Sequence, residues 1–174
     1  MARPVLGAAF AWVWFSFGAP VHAAPVSCYA KNPNVQKLRQ HLSASPFYRA
    51  MSARYGKAVS CTAKLDGGKI SMAYAFRSGA RVSAEVDPSV EYAQERADIR
   101  SMDEAKAMTL LKDAERYANR PDGCGMEWSN PEEERSATAA GSRDVIYRGS
   151  ACNCQARLIY KDAFVVALIV RSAC

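Results

Sequence analysis

The stretch "KAVSCTAKLDGGKISMAYAFRSGARVSAEVD", Lys57 to Asp87, alternates apolar and polar side chains and is interrupted at Asp66-Gly67-Gly68 and at Ser78-Gly79. A period of two is what a strand needs when one of its faces is buried, and glycine supplies the positive φ of a tight hairpin turn. The stretch therefore predicts a meander of three antiparallel strands over about 57–66, 69–77 and 80–87.

Upstream of the meander the period changes. In "NPNVQKLRQHL" Val35, Leu38 and Leu42 recur at helical spacing behind Asn34, a candidate cap. "SPFYRAMSARYG" restarts the pattern: Ser45 can cap, Pro46 suits a first turn, Phe47, Met51 and Tyr55 share a face, and Gly56 can end the helix.

Downstream, "PSVEYAQERADIR" reads either as a further edge strand or as the approach to a helix, with Pro88 marking a break. "SMDEAKAMTLLKDAERYANRPDG" has Ser101 and Glu104 in the spacing of a capping box. Ala105, Met108, Leu111 and Tyr117 mark one face of a helix over about 102–118, ended by Asn119, Arg120 and Pro121. Lys106, Lys112 and Arg116 fall on its solvated side. After a polar interval, "RDVIYRG", "ACNCQARLIY" and "FVVALIVRSAC" read as strands, with a last turn near Lys161-Asp162-Ala163.

The order predicts an α+β domain: N-terminal helices, an antiparallel meander, a central helix and a C-terminal antiparallel hairpin. It allows an internal duplication of helix followed by antiparallel strands, although no sequence repeat accompanies it.

The first 23 residues have a different character. One positive charge at Arg3 precedes the uncharged run "PVLGAAFAWVWFSFGAP", and Val21 and Ala23 meet the small-residue pattern of a cleavage site. Segment 1–23 is expected to be a secretory signal cut after Ala23, too short in its apolar part for a comfortable membrane span. Removing it from 174 residues leaves 151, a single domain over 24–174 with 22 basic against 17 acidic residues and one histidine, His41. No other apolar run is long enough to cross a membrane.

All six cysteines, Cys28, Cys61, Cys124, Cys152, Cys154 and Cys174, lie beyond the signal. An even count in an exported chain predicts oxidised pairs. Cys152 and Cys154, read as strand residues two apart, share a face, and a direct bond between them closes a strained ring. With Leu158 opposite Leu168 in the last hairpin, Cys152 falls near Cys174, leaving Cys154 for Cys124 and Cys28 for Cys61. A thiolate metal site lacks the paired C-x-x-C spacing, and so does a redox couple. No metal and no cofactor is expected.

Other chemistry leaves few marks. The exported chain contains no G-x-S-x-G, glycine-rich phosphate loop or H-E-x-x-H. His41 sits beside the apolar face of the first helix and reads as a structural or surface histidine, and none of Glu85, Asp87, Glu91 and Glu95 is assigned a catalytic role. Arg77, Arg81, Arg96 and Arg100 are interspersed with acids, which argues against nucleic acid as a partner.

One segment stands out, Arg120 to Arg143, long, polar and carrying Trp128, the only tryptophan outside the signal, with Glu127, Glu132, Glu133 and Glu134. Loops of this length in compact domains are functional or disordered. A tethered loop with an aromatic anchor and carboxylates suits a protein partner. The expectation is a secreted or periplasmic protein-binding domain, with an inhibitor or immunity protein against an envelope-acting enzyme or toxin as its sharpest form. The alternatives are an envelope enzyme without a familiar motif, favoured by a pocket that brings acids to His41, and a structural component of an envelope assembly.

Overall fold

The computed structural model of the protein describes residues 26–29, 31–118, 124–135 and 141–173. The expected signal segment, 1–23, and Cys174 lie outside the described residues.

Among the described residues three helices and nine antiparallel strands form an α+β domain. In chain order they are β1 (Val26–Ser27), α1 (Pro33–Ala44), α2 (Pro46–Tyr55), β2 (Ser60–Asp66), β3 (Lys69–Ala75), β4 (Arg81–Asp87), β5 (Tyr92–Met102), α3 (Glu104–Ala118), β6 (Glu132–Arg135), β7 (Ser142–Arg148), β8 (Gln155–Lys161) and β9 (Phe164–Ala173). The sheet runs β1-β2-β3-β4-β5-β9-β8-β7-β6. From β2 to β6 the order is symmetric about the β5–β9 pair: each half is helical, then four consecutive strands, and the two last strands meet at the centre.

The meander forms where the alternation places it, with Ala63 paired to Met72 and Met72 to Ala84. Those residues are buried on the face that carries the helices, while Thr62, Ser71 and Ser83 face the other way. The ambiguous segment after Pro88 is a strand that leads into α3, but not an edge strand. It supplies β5, which pairs with β4 and β9 in the middle of the sheet.

Helix starts differ from the sequence reading in two places. Asn32, not Asn34, caps α1, its Oδ1 accepting from the backbone N–H of Asn34 at 3.0 Å and of Val35 at 3.2 Å. Ser101 does not cap α3, because Ser101 and Met102 still belong to β5. Asp103 caps it, accepting from Ala105 N–H at 3.1 Å and Lys106 N–H at 3.3 Å. The buried face of α3 is Ala107, Leu111, Ala114 and Glu115, whereas Ala105 is exposed. Ser45 caps α2 as the sequence predicts, with Pro46 in its first turn and Gly56 after its end.

The core lies between the helices and one face of the sheet: Leu38 and Leu42 from α1, Phe47 and Met51 from α2, Leu111 from α3, over Met72, Val82, Ala97, Leu158 and Leu168. Each fully buried large side chain contributes roughly 1.5–3 kcal/mol relative to exposure. On the opposite face Ile146, Arg157, Ile169 and Arg96 stand in register across four strands. Ile146 and Ile169 are buried there with no described helix over them, as expected when the methylene stems of neighbouring arginines cover apolar side chains.

Two disulfides, Cys28–Cys61 and Cys124–Cys154, agree with the expected pairing. Cys152 is also disulfide-bonded. The premise that Cys152 and Cys154 share a strand face fails, since β8 begins only at Gln155 and Cys152 sits in a turn with φ 52°. The next residue, Asn153, donates its backbone N–H to Ala173 O at 2.8 Å, which holds the turn beside the end of β9. Leu158 does lie opposite Leu168.

Candidate functional site

Helix α1 crosses the sheet so that Leu38 and His41, three residues apart, both point down beside the end of α3. Beneath them β3, β4, β5 and β9 leave a pocket of about 310 Å³. Its floor and walls are largely apolar: Leu38, Ile70, Ala84, Val86, Ala118 and Val170. Polar residues line it at few points, Lys37 and Asn34 at the exposed rim, His41 and Glu95 at the wall, Gln94 beside Glu95 on β5, and Ser172 at the end of β9.

Glu95 is on the core-facing side of β5, in line with the buried Ala97 and Ile99. Its side chain is only 5% exposed, against 41% for His41, and His41 Nε2 lies 2.5 Å from Glu95 Oε1. With the carboxylate ionised, Nε2–H donates to it. The other oxygen, Oε2, is buried and has no hydrogen-bond partner among the described residues.

Tyr117, on the last turn of α3, fixes the histidine from behind. Its hydroxyl donates to His41 O at 2.8 Å, and the two rings lie 4.8 Å apart, tilted by 32°. Burial pushes the Tyr117 hydroxyl above its ordinary pKa, and the nearby charge of Glu95 adds to the shift against a smaller opposing effect of Arg49. Ser172 presents its hydroxyl 3.9 Å from Cys154 Sγ.

The five residues singled out from the sequence are elsewhere. None of Trp128, Glu127, Glu132, Glu133 and Glu134 lines this pocket. The interval from Arg120 to Arg143 is not one long loop, because Glu132–Arg135 forms β6 and pairs with β7 at the sheet edge. Each of its three glutamates meets an arginine. Glu132 holds Arg148 through two bonds of 2.9 and 2.7 Å, Glu133 takes Arg143 at 3.0 Å, and Glu134 approaches Arg157 at 3.5 Å. The hydrogen bond from Arg148 keeps the Glu132 carboxyl below its usual range. The edge is therefore mixed in charge rather than an acidic patch.

Trp128 is half-buried against the core, 5.1 Å from the Tyr147 ring and with Lys112 Nζ 5.3 Å from its own ring centroid. Its segment is pinned by Cys124–Cys154, by the Met126–Gly149 bridge and by Glu127 N–H donating to Arg148 O at 3.0 Å.

Sequence reasoning named His41 and Glu95 separately and did not join them. The signal was present in "ERADI": once this segment is read as a strand, Glu95 shares parity with Ala97 and Ile99 and must point inward. No group of His, Cys, Asp and Glu among the described residues is arranged to hold a metal ion. No helix among them is long and apolar enough to cross a membrane. No protein-family model, curated protein or solved structure matches this chain.

Proposed function

We propose that the protein is an exported binding protein, secreted or periplasmic, whose principal binding element is the pocket under α1. The observation that carries this reading is a largely apolar pocket with the hydrogen-bonded His41–Glu95 pair in its wall. Small-molecule sites combine these features: an apolar body for affinity and a few convergent polar groups for orientation. The disulfides support an oxidising compartment beyond the cytoplasm.

A screen of small organic fragments against isotope-labelled protein tests it. Amide shifts are expected to gather at Leu38, Ala84, Ala118 and Val170, and Ala118→Phe, which fills the pocket from the end of α3, is expected to abolish them. Shifts scattered over the surface, or binding undiminished in Ala118→Phe, would sink the reading.

A second reading, a protein-binding domain acting as an inhibitor or immunity protein, draws support from Trp128. An aromatic side chain that is half-exposed on a segment pinned at several points is preorganised as an anchor. Its partner is another protein of the envelope or outside the cell, and Trp128→Ala is expected to weaken capture of that partner at least tenfold while leaving the fold intact. Unchanged capture removes the tryptophan from any interface. An enzyme reading shares the His41–Glu95 pair and requires a reacting group beside it, and that supports it less well than binding alone.

A further inference from the structure

We infer that one end of the sheet, where the start of β2, the β3–β4 turn, the end of β5 and the β8–β9 turn lie side by side, docks the protein on an anionic lipid surface. The inference is independent of the pocket under α1, whose lining residues Pro88 and Ala93 belong to the opposite end.

Antiparallel pairing brings every second turn to the same end. Ser60 pairs with Ala75, Ala75 with Arg81, Met102 with Val165 and Lys161 with Phe164, so these four places are neighbours. Along the chain Arg77, Arg81 and Arg100 are interspersed with acids, and the fold gathers them here. Lys57 leads into β2 and Lys161 ends β8. Arg54 and Lys106 arrive from the end of α2 and the start of α3, and border one depression with Met102 and Phe164. Every one of these cations is exposed and makes no ion pair among the described residues. Arg96 is different, since it lies on the open face of the sheet and binds Asp98.

Asp103, Glu104 and Asp162 share this end, but Asp103 caps α3 and Glu104 bonds Tyr160. The balance stays positive. Turns at the opposite end carry Asp66, Asp87 and Glu91 with Lys69. The molecule therefore has a charge axis along its strands, and a negative surface turns the basic end toward itself.

Two apolar side chains stand among the cations, Val59 at 58% and Phe164 at 57% exposure. They begin β2 and β9, four places apart in the sheet order, which at ordinary strand spacing is roughly 20 Å. Peripheral proteins hold a bilayer in this way, with cations against the headgroups and apolar groups in the interface. The cations sit on separate turns rather than around one acceptor. A fluid layer of mobile phosphates can answer all of them, whereas a folded acidic partner has to match their spacing.

The test is co-flotation of the exported, oxidised protein with vesicles of phosphatidylcholine alone or with roughly one-third phosphatidylglycerol. Binding is expected to require the anionic lipid and to fall steeply between about 50 and about 500 mM salt. Arg77→Gln with Arg100→Gln is expected to weaken it about tenfold, and Lys64→Gln with Lys69→Gln, the same change of net charge away from this end, by less than about twofold. Phe164→Ser is expected to cost about fivefold and to leave the salt dependence in place.

Equal losses in the two double variants would reduce the effect to net charge and overturn the rim. Equal binding to neutral and anionic vesicles, or none to either, would overturn the lipid surface. Binding to polyglutamate without binding to vesicles would assign the rim to an acidic polypeptide instead. If a variant does not fold, the wild-type dependence on lipid charge and salt still decides the lipid requirement.

Discussion

Glu95 and His41 form a pair in which each member's loss has a different consequence. Removing His41 leaves a buried carboxylate with no partner among the described residues, whereas Glu95→Gln removes the charge and keeps a hydrogen-bonding group. His41→Ala is expected to cost about 1–3 kcal/mol in urea unfolding, and Glu95→Gln less. A larger loss in Glu95→Gln than in His41→Ala would mean that the charge itself stabilises the fold. Tyr160 offers a second test. Burial raises its pKa above the ordinary value, and Glu104 adds by charge and hydrogen bond. A raised folded-state pKa contributes stability that is complete below the unfolded value, near 10, and is lost as pH rises through the folded value. Calorimetry from pH 8 to 12 is expected to show Tm falling above about pH 10, with a shallower fall in Tyr160→Phe. An equal fall in that variant would assign the loss to other buried tyrosines, such as Tyr74 and Tyr147, which burial raises as well.

Among the elements, the boundaries of α3 were the least legible in the sequence. Ser101 and Glu104 have capping-box spacing, but β5 runs through Met102 and takes Ser101 into the sheet. A cap can form only where the chain leaves its previous element, and tertiary pairing decides that. Asp103→Ala is therefore expected to cost about 1 kcal/mol, and Ser101→Ala to stay within about half of that. Equal costs in chemical denaturation would contradict the assignment of the cap. Strand β5 was ambiguous for a related reason. Its buried side carries Glu95 among small residues, so the apolar alternation that reveals β3 and β4 is blunted. That one departure from pattern is also what places the carboxylate in the pocket.

For the whole molecule, the symmetric strand order joins two halves within the sheet through the β5–β9 pair, and α3 adds a second junction by packing against α2 and bonding His41 of α1 through Tyr117. One described disulfide staples each half, Cys28–Cys61 the first and Cys124–Cys154 the second. Opening a loop of 30 residues at Cys124–Cys154 removes a constraint worth about 3–4 kcal/mol on the unfolded chain. The double variant Cys124→Ser, Cys154→Ser is expected to lose about that much and to speed hydrogen exchange around Met126 to Trp128. Exchange that rises uniformly over both halves would show that they do not hold separate local stabilities.

The sequence by itself determined the α+β class, the helix pair, the meander and the last hairpin, while the Cys28–Cys61 and Cys124–Cys154 pairings agree with its expectation although the strand placement of Cys152 behind that expectation failed. Those features rest on short-range periodicity, turn residues and a register that follows from the turn. Only the tertiary structure decided that β5 is central, that Glu132 to Glu134 form an ion-paired edge strand, and that His41 meets Glu95 across 54 residues of chain. Each of these depends on which distant segment lies alongside, and local pattern carries no record of that choice. A buried carboxylate becomes recognisable as a site only once the helix that covers it is in place.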